Sequence, residues 1–185
     1  MAFSMAKYYD DVVTGAVFIG STAAAGTAFP ISTGTAVTAA LWNTNPNKRA
    51  VILGVNFGYT SGTIALGEFG LANQNVGFQV ATGAAMTAFN TDNTLVKNAL
   101  LGSGLATSMR WSPAATTTLA AGGTACWWAG KSIESATAGL GIFNCACDVD
   151  GLVIAEPGQI VFPCGSVAQT GLFTISLIWK EVDLS

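Results

Sequence analysis

The fold is written most plainly in Phe173-Thr174-Ile175-Ser176-Leu177-Ile178-Trp179-Lys180. Phe173, Ile175, Leu177 and Trp179 fall on every second position, with Thr174, Ser176, Ile178 and Lys180 between them. Successive side chains of a strand point to opposite faces, so the first four line one face. At about 100° per residue a helix would scatter the same four around its circumference. One buried sheet face accounts for the whole segment.

Upstream, Ala50 to Tyr59 repeats the pattern. Val51, Leu53, Val55, Phe57 and Tyr59 read as one apolar face, opposite Ile52, Gly54, Asn56 and Gly58. Asn45-Pro46-Asn47 is the turn before it. Thr60-Ser61-Gly62-Thr63 is the turn after it and predicts Ile64–Phe69 as a hairpin partner. Asp150-Gly151 predicts a tight hairpin joining Gly141–Val149 to Leu152–Ala155. Glu156-Pro157-Gly158 predicts a type II turn into Gln159–Phe162, because glycine accepts the positive φ that such a turn requires. Ala81 to Ala120 is the least patterned region, with a short helix predicted near Asn93–Leu101. Many short strands at near-regular spacing predict an all-β, single-domain β-sandwich, jelly-roll-like, of about eight to ten strands. Residues 31–185 form the sandwich in this reading, and residues 1–30 a Gly/Ala/Thr-rich N-terminal arm or first strands.

Composition narrows the function. Hydrophobic residues make up 51% of the 185 and charged residues only 9%, against about 25% charged in a typical soluble domain. The apolar share supplies a full core and excludes disorder as the main state. Seven Lys and Arg, scattered along the chain, do not form the basic patch that nucleic acid requires. Histidine is absent, which removes the commonest general base and metal ligand. Val12–Phe29 is mostly apolar, but Asp10 and Asp11 precede it and Gly15, Gly20 and Gly26 interrupt it, unlike a signal peptide or membrane span.

The cysteines are Cys126, Cys145, Cys147 and Cys164. Cys145 and Cys147, two apart on a strand, share a face and do not pair easily with each other. The spacing does not match the paired knuckles of a zinc site. Four unbridged thiols are expected.

Three patterns touch on chemistry. Ala125-Cys126-Trp127-Trp128-Ala129-Gly130-Lys131-Ser132 matches a relaxed phosphate loop, yet two tryptophans fill the loop and no helix pattern follows. A strand carrying one ring inward and one outward is the expectation there. Asp148-x-Asp150-Gly151 resembles the opening of a calcium loop without its closing ligands, and reads as a polar turn. Glu68, Glu134 and Glu156 are carboxylates of the kind glycosidases pair, but no spacing brings two together. Catalytic, cofactor and metal residues are therefore expected to be absent, and an enzyme is not expected. Of the five tryptophans, Trp179 belongs to the core. Trp42, Trp111, Trp127 and Trp128 read as core or as subunit-interface rings, with a glycan-stacking platform as the alternative.

Two segments read together carry a resemblance. Ala40–Thr63 is ALWNTNPNKRAVILGVNFGYTSGT, and Val153–Val182 is VIAEPGQIVFPCGSVAQTGLFTISLIWKEV. They resemble small β-rich structural proteins of tailed bacteriophages. In that group an Asn-Pro turn and Lys/Arg lead into a strand ending Gly-Tyr-x-Ser-Gly-Thr, and a Pro-Gly turn later leads to a last strand ending Trp-x-Glu. The resemblance implies a place in the virion and carries over no catalytic residue. The low charge agrees, because a surface poor in charge suits a chain whose surface is covered by neighbours.

The expected function is a non-enzymatic capsid decoration or cement protein. It would be a homotrimer on the capsid surface, partnered by the major capsid protein, binding neither nucleic acid nor membrane and needing no cofactor. The alternatives are a host-recognition head-fibre or tail-tip module that binds glycans, and a cellular self-assembling surface or filament protein.

Overall fold

The structure is a computed structural model and describes residues 7–78, 86–87, 89, 91–113, 117–133 and 144–184. A short helix, α1 (Tyr9–Val13), precedes β1 (Val17–Ser21), β2 (Ala36–Val37), β3 (Ala40–Trp42), β4 (Lys48–Ser61), β5 (Gly67–Asn75) and β6 (Met86–Thr87). A single 3-10 turn at Asn93–Leu95 leads into β7 (Val96–Asn98), β8 (Arg110–Ser112) and β9 (Thr117–Leu119). The chain closes with β10 (Thr124–Ile133), β11 (Asn144–Ala155), β12 (Gln159–Gly165) and β13 (Leu172–Asp183).

The strands form three antiparallel sheets. The first has the order β11-β4-β13-β1-β7, the second β10-β5-β12-β3-β8, and the third β2-β9-β6. Set β2 and β6 to β9 aside and count the other eight in chain order: β1, β3, β4, β5, β10, β11, β12, β13. The first sheet then runs 1-8-3-6 and the second 2-7-4-5. This is the two-sheet wrap of a jelly roll, in which sequence neighbours alternate between layers. β7 and β8 each add one short strand at the same side of the sandwich.

The alternation of β13 does what its sequence promised: Phe173, Ile175, Leu177 and Trp179 are all buried. Phe29, Phe57, Phe69 and Phe173 meet between the two sheets, with ring centroids 4.9 to 5.4 Å apart. A second apolar cluster lies behind the second sheet. There Val37 and Leu119 of the third sheet pack with Trp42, Ala72, Ile160, Phe162 and Cys164. The molecule is thus three layers deep on one side.

Several local expectations need correction. The apolar face of β4 is not the odd-numbered one throughout: Ala50 and Ile52 join Val55 and Phe57 in the core. Trp179 pairs with Ile52 and Ile178 with Gly54, so Leu53 is an extra residue, and this bulge switches the phase of the alternation. Ile64–Phe69 is not a hairpin partner of β4, because β5 enters the opposite sheet. Asp150-Gly151 does not end a strand either. β11 runs through it, with a register jump between Asp148 and Val153 against β4, and positive φ at Asp150 (56°) and Gly151 (76°). The helix expected near Asn93–Leu101 is only the 3-10 turn followed by β7. The turn at Glu156 forms as read: Gln159 N–H donates to Glu156 O at 3.0 Å and Gly158 has φ 83°.

Candidate functional site

Trp42 and Trp111 are fully buried, so they leave the set of surface aromatics. Each indole N–H is satisfied inside: Trp42 Nε1 donates to Gly77 O at 2.9 Å, and Trp111 Nε1 to Ser21 O at 3.0 Å. A buried indole with its N–H paired is a core element. On β10 the pair divides as expected. Trp127 packs against the main core, while Trp128 is 38% exposed. The phosphate-loop pattern is therefore an edge strand in which backbone and rings serve the sheet.

Among the described residues β10 and β11 are the outermost strands of their sheets, on one side of the sandwich. Both are bulged, β10 after Ala125 and after Trp128, β11 after Asp148. Bulges on edges discourage indiscriminate strand addition. Besides Trp128, Leu152 and Ile154 are exposed here, and a cleft of about 180 Å³ opens between Cys126, Leu152, Ile154, Asn73 and Gln159. On the opposite side the loop between β7 and β8 presents Leu100, Leu101 and Leu105 to solvent, Leu101 at 84%. A cavity of about 290 Å³ lies beneath that loop, with Phe18 in its wall.

Of the carboxylates considered from sequence, Asp150 and Glu156 have local partners. Asp150 accepts from Tyr8 Oη at 2.6 Å and from Lys7 Nζ. The Lys7 and Tyr8 hydrogen bonds hold its carboxyl below the usual range. Asp150 in turn raises Lys7. Burial, reinforced by Asp150, raises Tyr8. Glu156 lies 2.7 Å from Arg49 Nε, close enough for an ion pair though not aligned as a hydrogen bond. Glu68 sits on β5, and Glu134 is outside the described residues. Among the described residues no group of three or more His, Cys, Asp or Glu is placed to hold a metal. No described helix is long and apolar enough to cross a membrane.

The cysteines depart in part from expectation. Cys126 and Cys164 are free thiols, exposed and buried respectively. Burial pushes the Cys164 thiol up to about 12, with a contribution from Cys126. Cys147, by contrast, is disulfide-bonded. The expectation of four thiols rested on sequence spacing, which does not settle what the fold brings beside Cys147. The Cys145 side chain lies outside those described.

One site escaped the sequence reading. Glu181, with its side chain 3% exposed, accepts from Thr107 Oγ1 at 2.5 Å, Ser108 N at 3.0 Å and Ser108 Oγ at 2.6 Å. Lys48 Nζ stands 3.5 Å away. The signal was available: Glu181 follows Trp179 on the inward face of β13, where a carboxylate must find donors.

No family model, curated protein or solved structure matches the chain.

Proposed function

We propose that this is a non-enzymatic structural protein of a bacteriophage virion. It forms a homo-oligomer, a trimer in the simplest case, on the capsid surface and decorates or cements the shell against the major capsid protein. What supports this is the distribution of exposed apolar side chains on a charge-poor chain: Leu101 and Leu105 on one side, Trp128, Leu152 and Ile154 on the other. Two apolar patches on opposite sides of a rigid sandwich suit a protein with neighbours on both. Each buried square ångström contributes roughly 25 cal/mol, and partners that bind only the assembled form stabilise it by mass action.

Sedimentation of the purified chain tests the assembly, with a trimer expected and a monomer at micromolar concentration the result that overturns it. Immunogold labelling of intact particles tests the location. The exposed ring of Trp128 favours one second reading, a glycan-binding recognition module, which labelling would place at a tail or spike.

A further inference from the structure

We propose that the outer face of the first sheet pairs with the same face of a second copy, and that the segment from Lys7 to Val13 is a strap that must lift before they meet. This deepens the proposal of a self-assembling chain and rests on it.

The two broad outer faces are treated differently. The third sheet covers the second sheet, burying Val37 and Leu119 against it. No third sheet covers the first among the described residues, although Val17 and Leu53, which belong to neither core cluster, are buried there. One row of side chains crosses all five of its strands: Lys97 pairs with Ile19, Ile19 with Ile178, Ile178 with Gly54, and Gly54 with Asp148. The row is outward, because its neighbours Phe18, Trp179 and Cys147 belong to the core.

Its two ends carry opposite charges. Lys97 and Asp148 are both exposed, and among the described residues neither is in an ion pair. A twofold axis along β13 through Ile178 lays β7 of one copy over β11 of the other. Lys97 then faces the second copy's aspartate at position 148, twice per pair, and Ile19 faces Gly54, which has no side chain. The row is self-complementary, as an isologous contact requires.

The strap stands in the way. Lys7 and Tyr8 reach Asp150 in the β11 bulge, and Asp11 accepts from Lys180 Nζ on β13 at 2.6 Å. β4 lies between those two strands, so the strap spans the outer side of the sheet. Packed sheets lie about 10 Å apart, and a helix with side chains is about 10 Å across. The twofold brings both straps to the same end of the pair, where each fills the space that the other copy's β1 and β7 would occupy. None of the α1 side chains is buried. Polar anchors on exposed groups hold weakly and are screened by salt. Gly15, at φ 74°, is the pivot.

The test is analytical ultracentrifugation of the full chain and four variants, with circular dichroism to confirm the sandwich in each. Asp11→Asn with Asp150→Asn frees the strap and is expected to tighten pairing at least tenfold, doubling the mass of the oligomer that the wild-type chain forms. In that background Lys97→Asp alone and Asp148→Lys alone should each abolish pairing. An equimolar mixture of those two, and the chain carrying both changes, should regain it. A strap-free chain that stays at the wild-type oligomer size up to about 100 µM, or charge reversals without rescue, overturn the proposal. A wild-type trimer indifferent to all four changes would overturn it while leaving the proposed function standing.

Discussion

Glu181 accepts both the backbone N–H and the hydroxyl of Ser108, at 3.0 and 2.6 Å. A single carboxylate on the last strand thus pins the end of the leucine-bearing loop to the sandwich. Glu181→Ala takes the acceptor away from those part-buried donors, with an expected cost of about 2–4 kcal/mol. Glu181→Gln keeps an acceptor and should cost less. Urea unfolding of both variants checks the order, and amide exchange should show residues 99–108 loosening before the sheets.

The two faces of β13 should respond oppositely to truncation. Leu177→Ala removes a fully buried side chain and should cost about 2–5 kcal/mol through lost burial and the cavity left behind. Thr174 lies on the outer face, donating only to Gly58 O at 3.2 Å, and Thr174→Ala should stay within about 0.5 kcal/mol of wild type. Thermal melts at several protein concentrations report both. A loss at Thr174 that grows on dilution would mark that face as covered by another subunit.

The three described cysteines should label in a fixed order. Cys126 is exposed and free, so it takes an alkylating reagent first. Cys164 is buried with its pKa near 12, so at pH 8 its thiolate fraction is on the order of one in ten thousand, and it should label only on unfolding. Cys147 is disulfide-bonded and should label only after reduction. Peptide mass spectrometry resolves the three; native labelling of Cys147 without reductant would sink the assignment.

The strap should come loose at both extremes of pH. Asp150 is held below its ordinary pKa, so its anchoring is complete above the usual carboxylate range and is lost as pH falls through the lowered value. Tyr8 and Lys7 are raised, so their contribution is complete below their usual ranges and is lost as pH climbs through the raised values. Between those limits attachment should be flat with pH and weakened by salt. Exchange of the amides of residues 8–14, followed by mass spectrometry, measures it; a maximum in exchange near neutrality would contradict it.

What could be read in advance was whatever depends on two-residue periodicity. β13 shows its inward face in its own sequence. β4 does not, because the extra residue at Leu53 is visible only against its neighbours' register. Turn signals marked where the chain changes direction, at Gly62 and Gly158, but not which sheet receives it, since that is fixed by partners far along the chain. Among the aromatics, Trp42 and Trp111 stood open between core and interface, because no sustained two-residue alternation around either marks an inward face. Acceptors on Gly77 and Ser21, distant in the chain, make their burial possible. Lys97 and Asp148 become a pair of row ends only once five strands are aligned.

The strand order has a consequence for synthesis. β1 lies between β13 and β7, and β4 between β13 and β11, so the final strand joins pieces made first to pieces made last. No emerging chain can complete its central sheet until residue 183 has cleared the ribosome. Until then the inward faces of β4 and β5 have no lasting cover, and the nascent protein is a substrate for chaperones and proteases. Every premature stop before β13 should yield an aggregate or a degraded fragment, never a smaller working domain.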